Sequence, residues 1–298
     1  MDFIGEIAGL ATSFFFALTS IIFASTGRMV GSQVTNRIRL IFALLYLVIL
    51  NVVLFREPLP FSAESSRWIW LGLSGVIGLS LGDAFYFQSL ISVGPRLGSL
   101  LLSLAPIFGS VIAWIFFGET LSVLQITGIA LALAGIGWVV VSHEEPPDTP
   151  HGHTKRGVFF GVLAGLGQAV GLVLSKQGMF GEFSPFQANV IRMLAATVFI
   201  WIWTAVQGEA SVTFKSMREK PQALRLIALG ALVGPLLGVS ASLFAVQHTE
   251  VGVASTLMAL PPVIVLPISY FVYKEKFGWQ AVAGTALAIA GVAVLFLA

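Results

Sequence analysis

The sequence predicts an all-α integral membrane protein: ten transmembrane helices arranged as two inverted five-helix repeats. Three observations predict it. Of 298 residues, 57% are hydrophobic and only 10% are charged; globular chains run at about 45–50% and 25%. The apolar residues gather into ten runs, each near the ~20 residues that cross a bilayer. The second half of the chain repeats the first at a nearly constant shift.

The composition also excludes. Folded surfaces in water need polar cover that this chain lacks, which rules out a soluble enzyme, a nucleic-acid binder or a disordered chain. The 16 basic and 14 acidic residues leave a net charge of only +2, with no basic stripe for phosphates. There is no cysteine, hence no disulfide, thiolate metal site or cysteine nucleophile. The start, Met1-Asp2-Phe3-Ile4-Gly5-Glu6, lacks a basic region and an Ala-x-Ala site, so no cleaved leader is expected.

The runs, in order, are Phe3–Phe23, Ile38–Phe55, Trp68–Ser92, Leu97–Phe117, Val123–Val141, Gly157–Met179, Phe186–Val206, Ala223–Val246, Val253–Tyr273 and Trp279–Ala298. Helices are expected because lipid cannot satisfy an open backbone, and the runs do not alternate as barrel strands do. Breaks carry charge, Gly or Pro, as at Arg56-Glu57-Pro58 and Lys274-Glu275-Lys276. Trp68, Trp70, Trp201, Trp203 and Trp279 fall near run ends, where amphipathic rings prefer to sit. Residues 142–156 form the one long polar stretch. They are read as a linker between a first repeat, 1–141, and a second, 157–298.

A shift of 156 residues lays Gly128-Ile-Ala-Leu-Ala-Leu-Ala-Gly135 on Gly284-Thr-Ala-Leu-Ala-Ile-Ala-Gly291. The same shift pairs Pro106 with Pro262, Glu119 with Glu275, Ser99 with Ser255, Leu104 with Leu260, and Gly5-xxx-Gly9 with Gly161-xxx-Gly165. In the second run the shift becomes 153 and pairs Asn36-xx-Arg39 with Asn189-xx-Arg192. Five helices per repeat is an odd number, so the second copy enters the membrane from the opposite side. Inverted repeats are the architecture of alternating-access carriers, with the site near the midplane.

Twelve of the 16 Lys and Arg fall on the side of the odd-numbered loops; only Arg56, Arg67, Lys176 and Arg192 fall on the side of the termini. The positive-inside rule then places both termini outside a cell (inner) membrane.

The segment from Pro106 to Gly118-Glu119, followed by Gly128-x-Ala-Leu-Ala-x-Ala-Gly135, together with its counterpart from Pro262 to Lys274-Glu275 and Gly284 to Gly291, resembles the EamA type of the drug/metabolite transporter superfamily. The resemblance covers essentially the whole chain. It implies a ten-helix carrier, often an exporter of amino acids or other small metabolites. Lys274 departs from Gly118 at the equivalent turn, where it faces water.

Polar residues deep in a membrane are functional candidates. Asp83 lies about 15 residues, or about 22 Å, into the third run; its repeat mate is Val239. It is read as a proton-coupling group or a contact for a substrate amine, or as half of a structural pair with Arg39. Arg192 lies about 12 Å into the seventh run, with Arg39 as its mate in the opposite membrane half. It is read as the contact for a substrate carboxylate or phosphate, or as snorkelling or pairing with Glu6. Arg39 is the secondary candidate for anionic groups. Gln88 and Gln168 are candidates to line a cavity, and Asn51 to bridge helices. Tyr86, with Phe85, Trp114 and Tyr270, forms either an aromatic wall or ordinary packing. Lys176 is read as snorkelling, and Glu119 and Glu275 as caps of the helices that follow them. Pro106 and Pro262 are placed mid-helix as gating kinks, with Pro261 and Pro267 adding to the second.

Two patterns imitate chemistry. His143, His151 and His153, with Glu144, Glu145 and Asp148, are irregularly spaced among prolines and read as linker. Gly72-Leu73-Ser74-Gly75 has an intramembrane protease form, but the histidine available, His248, lies in a distant turn. The expectation is a secondary transporter of a small metabolite, with no cofactor, no metal and no nucleotide motif, driven by protons or a counter-solute. A passive facilitator or channel, and a hydrolase using Ser74, are the alternatives. Substrate identity and oligomeric state are not legible.

Overall fold

The computed structural model describes residues 3–142, 154–264 and 278–297. Helix α1 spans Ile4–Val30 and α2 spans Ser32–Phe55. Gly31 turns the chain between them with a φ of 88°, a backbone setting open to glycine at little cost. Helix α3, Ser65–Ser74, passes through a π-helical segment, Gly75–Gly82, into α4, Asp83–Leu102. Then come α5, Ala105–Phe117, and α6, Val123–Ser142. The second half opens with α7, Thr154–Gly178, and α8, Pro185–Val206. A short α9, Ala210–Glu219, leads to α10, Pro221–Ala231, a second π segment, Leu232–Gly238, and α11, Val239–His248. Helix α12, Val251–Met258, and α13, Trp279–Phe296, complete the set, with a helical stretch at 261–264 between them.

Among the described residues, eight helices are long and apolar enough to cross a membrane, and Ala105–Phe117 and Val251–Ile264 are shorter apolar helices. Large apolar side chains stand exposed around the bundle, among them Val53, Ile115, Phe116 and Val282. That is the cover a lipid environment asks for.

Four expectations change. The fourth run is broken at 103–104, so Pro106 is not mid-helix: it stands in the first turn of α5 behind Leu104. Proline is tolerated there because that turn's N–H groups have no intrahelical partner. Pro262 is likewise in the first turn of the stretch 261–264, whose Val263 and Ile264 N–H groups donate to the Leu260 carbonyl. Helix α4 runs unbroken through Gly94-Pro95-Arg96, where the drop in hydropathy suggested a loop; a break in apolar content does not oblige the backbone to leave the helix. Helix α9 lies between the seventh and eighth runs, where no run predicts a helix. Pro267, Tyr270, Glu275 and the linker histidines lie outside the described residues.

The halves pack through their matched glycines. On α6 and α13, a Cβ at Gly135 would strike the backbone of Ala288, and one at Gly291 the backbone of Ala132. The repeated motif is therefore a close, reciprocal helix crossing. On α1, Gly9 leaves room for Leu257 of α12; on α7, Gly161 leaves room for Leu101 of α4. Residues 101 and 257 are themselves a pair at the 156 shift.

Candidate functional site

The π segment Gly75–Gly82 positions the site. Such segments leave carbonyls outside the regular helical ladder and recur at functional positions. Here the carbonyl of Gly78 accepts from Gln168 Nε2 at 3.3 Å. Glycines let neighbours close in: a Cβ at Gly75 would overlap the backbone of Arg192 on α8, and one at Gly82 would stand 3.6 Å from the backbone of Gln168 on α7. Helices α7 and α8 are thus drawn onto the segment that delivers Asp83.

Asp83 is the first residue of α4 and forms an ion pair with Arg39 of α2. Its second carboxylate oxygen accepts from Gln168 Nε2 at 2.9 Å. Arg39 Nε donates to Asn36 Oδ1 at 2.7 Å, and its guanidinium lies 5.7 Å from the ring centre of Phe23 and 6.0 Å from that of Phe87. Three helices therefore converge on one carboxylate inside the apolar bundle. The Arg39 pairing expected from sequence is present, and Gln168 joins it.

Arg192 changes the picture most. It feels the charge of Asp83 from beyond ion-pair distance, while Arg39 holds the direct contact. Arg192 is 3% exposed, which excludes snorkelling, and Glu6 instead accepts from Thr249 Oγ1 at 3.1 Å. Arg192 Nε and Nη1 are buried with no hydrogen-bond partner among the described residues. Two guanidiniums against one carboxylate leave the cluster with one surplus positive charge.

The other candidates have contacts of their own. Gln88 Nε2 donates to Ser92 Oγ at 3.3 Å along its own helix. Tyr86 lies against Phe87. Asn51 donates to Leu47 O within α2 and bonds to no other helix among the described residues. Ser74 Oγ is held by Gly171 O at 2.6 Å and Ser175 Oγ at 2.7 Å, whereas His248 Nδ1 faces Phe244 O. Ser74 and His248 are not brought together.

A second polar assembly lies at the end of the bundle where the start of α1 meets His248 and Thr249. Lys176 Nζ pairs with Glu119 Oε1 at 2.6 Å and donates to Thr249 O at 2.8 Å. Glu119 Oε2 accepts from Val251 N at 2.9 Å. Glu119 therefore caps α12, across the bundle, rather than the helix that follows it, and Lys176 is bound rather than snorkelling. A cleft of about 570 Å³ opens beside them, lined by Glu6, His248 and Glu250 among others. At the opposite end Arg37 of α2 pairs with Glu209 and donates to Thr213 Oγ1 at 3.0 Å. That contact fastens α9 to the bundle.

Comparison with known proteins decides the class. The sequence pattern of the EamA-like transporter family matches residues 3–141 and again 155–297. The chain belongs to the EamA-like transporter family. It is a multi-pass membrane protein of the drug/metabolite transporter superfamily. Its relatives include a "Probable terminal-alkyne amino-acid exporter" from Streptantibioticus cattleyicolor, 24% identical over 76% of this chain and 72% of that protein. "Protein LicB" from Haemophilus influenzae is 28% identical over 45% of this chain and 44% of its own length. An "Uncharacterized transporter" from Archaeoglobus fulgidus is 22% identical over 71% and 70%. One crystal structure shares the fold, with a TM-score of 0.73 at 17% identity over 98% of this chain and 97% of the other.

Three features of this EamA-like protein were missed from sequence: the π segments, Asn36 as the support of Arg39, and the Lys176–Glu119 bridge. Asn36 and Asn189 did carry a signal, since the same Asn-xx-Arg pattern recurs in both halves. On α8 Asn189 Nδ2 donates to Pro235 O, inside the second π segment, and to Ser240 Oγ, both at 2.9 Å.

Proposed function

We propose that this EamA-like protein is a secondary transporter that exports a small metabolite, amino acid-like or otherwise amphipathic, by alternating access. One observation carries the reading: a carboxylate, an arginine and a glutamine from three helices meet inside an apolar bundle, where ionisable groups are expensive and mark transport pathways. Asp83 is the coupling residue or the contact for a substrate amine. Arg39 and Gln168 position it and Arg192 completes the charge cluster, while Gln88 and Tyr86 line the route. The driving force is a gradient of protons or of an exchanged solute.

The ten helices form two inverted repeats, 1–141 and 157–298, in the cell (inner) membrane, with both termini outside. The breaks before Pro106 and Pro262 are the bending points, and the Lys176–Glu119–Val251 bridge closes the terminal end of the pathway. The exporter named among the relatives supports the direction.

The test is uptake into proteoliposomes of radiolabelled amino acids and nucleosides, with and without a pH gradient. Saturable uptake that responds to the gradient and disappears in Asp83→Asn is expected for proton coupling. Saturable uptake that ignores pH and requires an internal solute identifies exchange. Rates that never saturate contradict alternating access and identify a passive facilitator.

A further inference from the structure

Three arginines on or beside the bundle core can be compared directly. Arg37 and Arg192 are each 3% exposed. Arg37 has the Glu209 carboxylate and the Thr213 hydroxyl, with its Nε alone left without a partner. Arg39 has the Asp83 carboxylate and the Asn36 amide. Arg192 has no carboxylate within ion-pair distance among the described residues, and its Nε and Nη1 donate to nothing.

A buried guanidinium with idle donors is costly unless an opposite charge completes it. Gly78 beside it serves a close helix crossing: a Cβ there would stand 3.6 Å from Arg192 Nη2 and 3.4 Å from Gly171 Cα of α7. The neighbouring ion pair is not sealed, with 13% of the Arg39 and Asp83 side chains exposed. Charge sets the valence of what enters. Two arginines and one aspartate are neutralised by a single negative charge, and Asp83 repels a second. A planar carboxylate matches the fork of a guanidinium and takes two hydrogen bonds from it.

We propose that Arg192 is the receptor for a singly charged anionic group from outside the protein, either the carboxylate of the transported solute or a free anion such as chloride. The assignment of that group to the cargo rests on the transporter reading; the anion site itself does not.

Calorimetric titration of the purified full chain in detergent tests it, with acetate, glycine and chloride as separate probes in a sulfate-balanced buffer. Saturable binding of acetate or glycine is expected if the group is a carboxylate, and of chloride alone if it is a free anion; both results support the site. Arg192→Gln is expected to abolish that binding. Arg192→Lys keeps the charge but not the fork, and is expected to weaken it about tenfold, the worth of one charge-assisted hydrogen bond. The Lys variant carries the test if the Gln variant does not fold. Failure of all three probes to bind the native chain, or unchanged affinity in either variant, overturns the proposal. Binding is read without vesicle or gradient. An anion site in a chain that moves nothing therefore leaves this inference standing and removes the transport reading, and gradient-driven transport indifferent to Arg192 does the reverse.

Discussion

The Lys176–Glu119 bridge and the Arg39–Asp83 cluster sit in the same apolar bundle and are finished in different ways. At the terminal end, one ammonium meets one carboxylate, and the spare capacity of each is taken by the backbone, at Thr249 O and Val251 N. Around Asp83, both carboxylate oxygens are used, yet Arg192 keeps two donors idle. A closed set of partners suits a contact that holds helices together. An open set suits a place where something else binds and leaves.

The contrast can be broken by substitution, and the expected effects fall in order. Asp83→Ala removes the acid paired with Arg39 and nearest in charge to Arg192, and is expected to cost about 3–5 kcal/mol of stability, read as a large drop in melting temperature in detergent. Arg39→Gln is expected to cost less, about 1–3 kcal/mol, because Arg192 remains to face Asp83; equal losses in the two variants would show that Arg192 does not share the charge. Glu119→Gln is expected to cost about 1–2 kcal/mol, with Lys176→Met adding little on top. Such non-additivity is the signature of one bridge in a double-mutant cycle. At the bottom of the scale, Lys215→Ala on α9 breaks a pair whose side chains are 76% and 62% exposed. It is expected to change stability by no more than about 0.5 kcal/mol. Arg192→Met inverts the rule: removal of an unpaired buried charge is expected to leave the melting temperature unchanged or higher.

Much of the scaffold was legible because membrane helices announce themselves by length and apolar content. The Gly128/Gly135 and Gly284/Gly291 matches even marked the helix crossing that joins the halves. Asp83 and Arg39 were legible as a pair because charge inside lipid is rare and wants a partner. The rest needed three dimensions. Nothing in the run Gly75–Gly82 distinguishes a π turn from an α turn by composition. The breaks at 103–104 and 259–260 lie inside apolar sequence, where only backbone geometry ends a helix. Glu119 looked like a cap for the helix next to it because sequence offers no nearer view; its real partners are 57 and 132 residues away, at Lys176 and Val251. Repeat arithmetic matched Arg192 to Arg39 by position, but it fixes a backbone level and not where a long side chain reaches.

The central claim is that the Asp83 cluster lies on a pathway whose terminal end is closed by the Lys176–Glu119 bridge. The chain has no cysteine, so Phe87→Cys places a single thiol beside Arg39. Its labelling by a membrane-impermeant reagent, applied separately from each side of sealed vesicles, reads the access directly. The account predicts that label from the terminal side reaches residue 87 slowly in the Phe87→Cys background and several times faster once Glu119→Gln is added. Equal labelling rates with and without the bridge would contradict it.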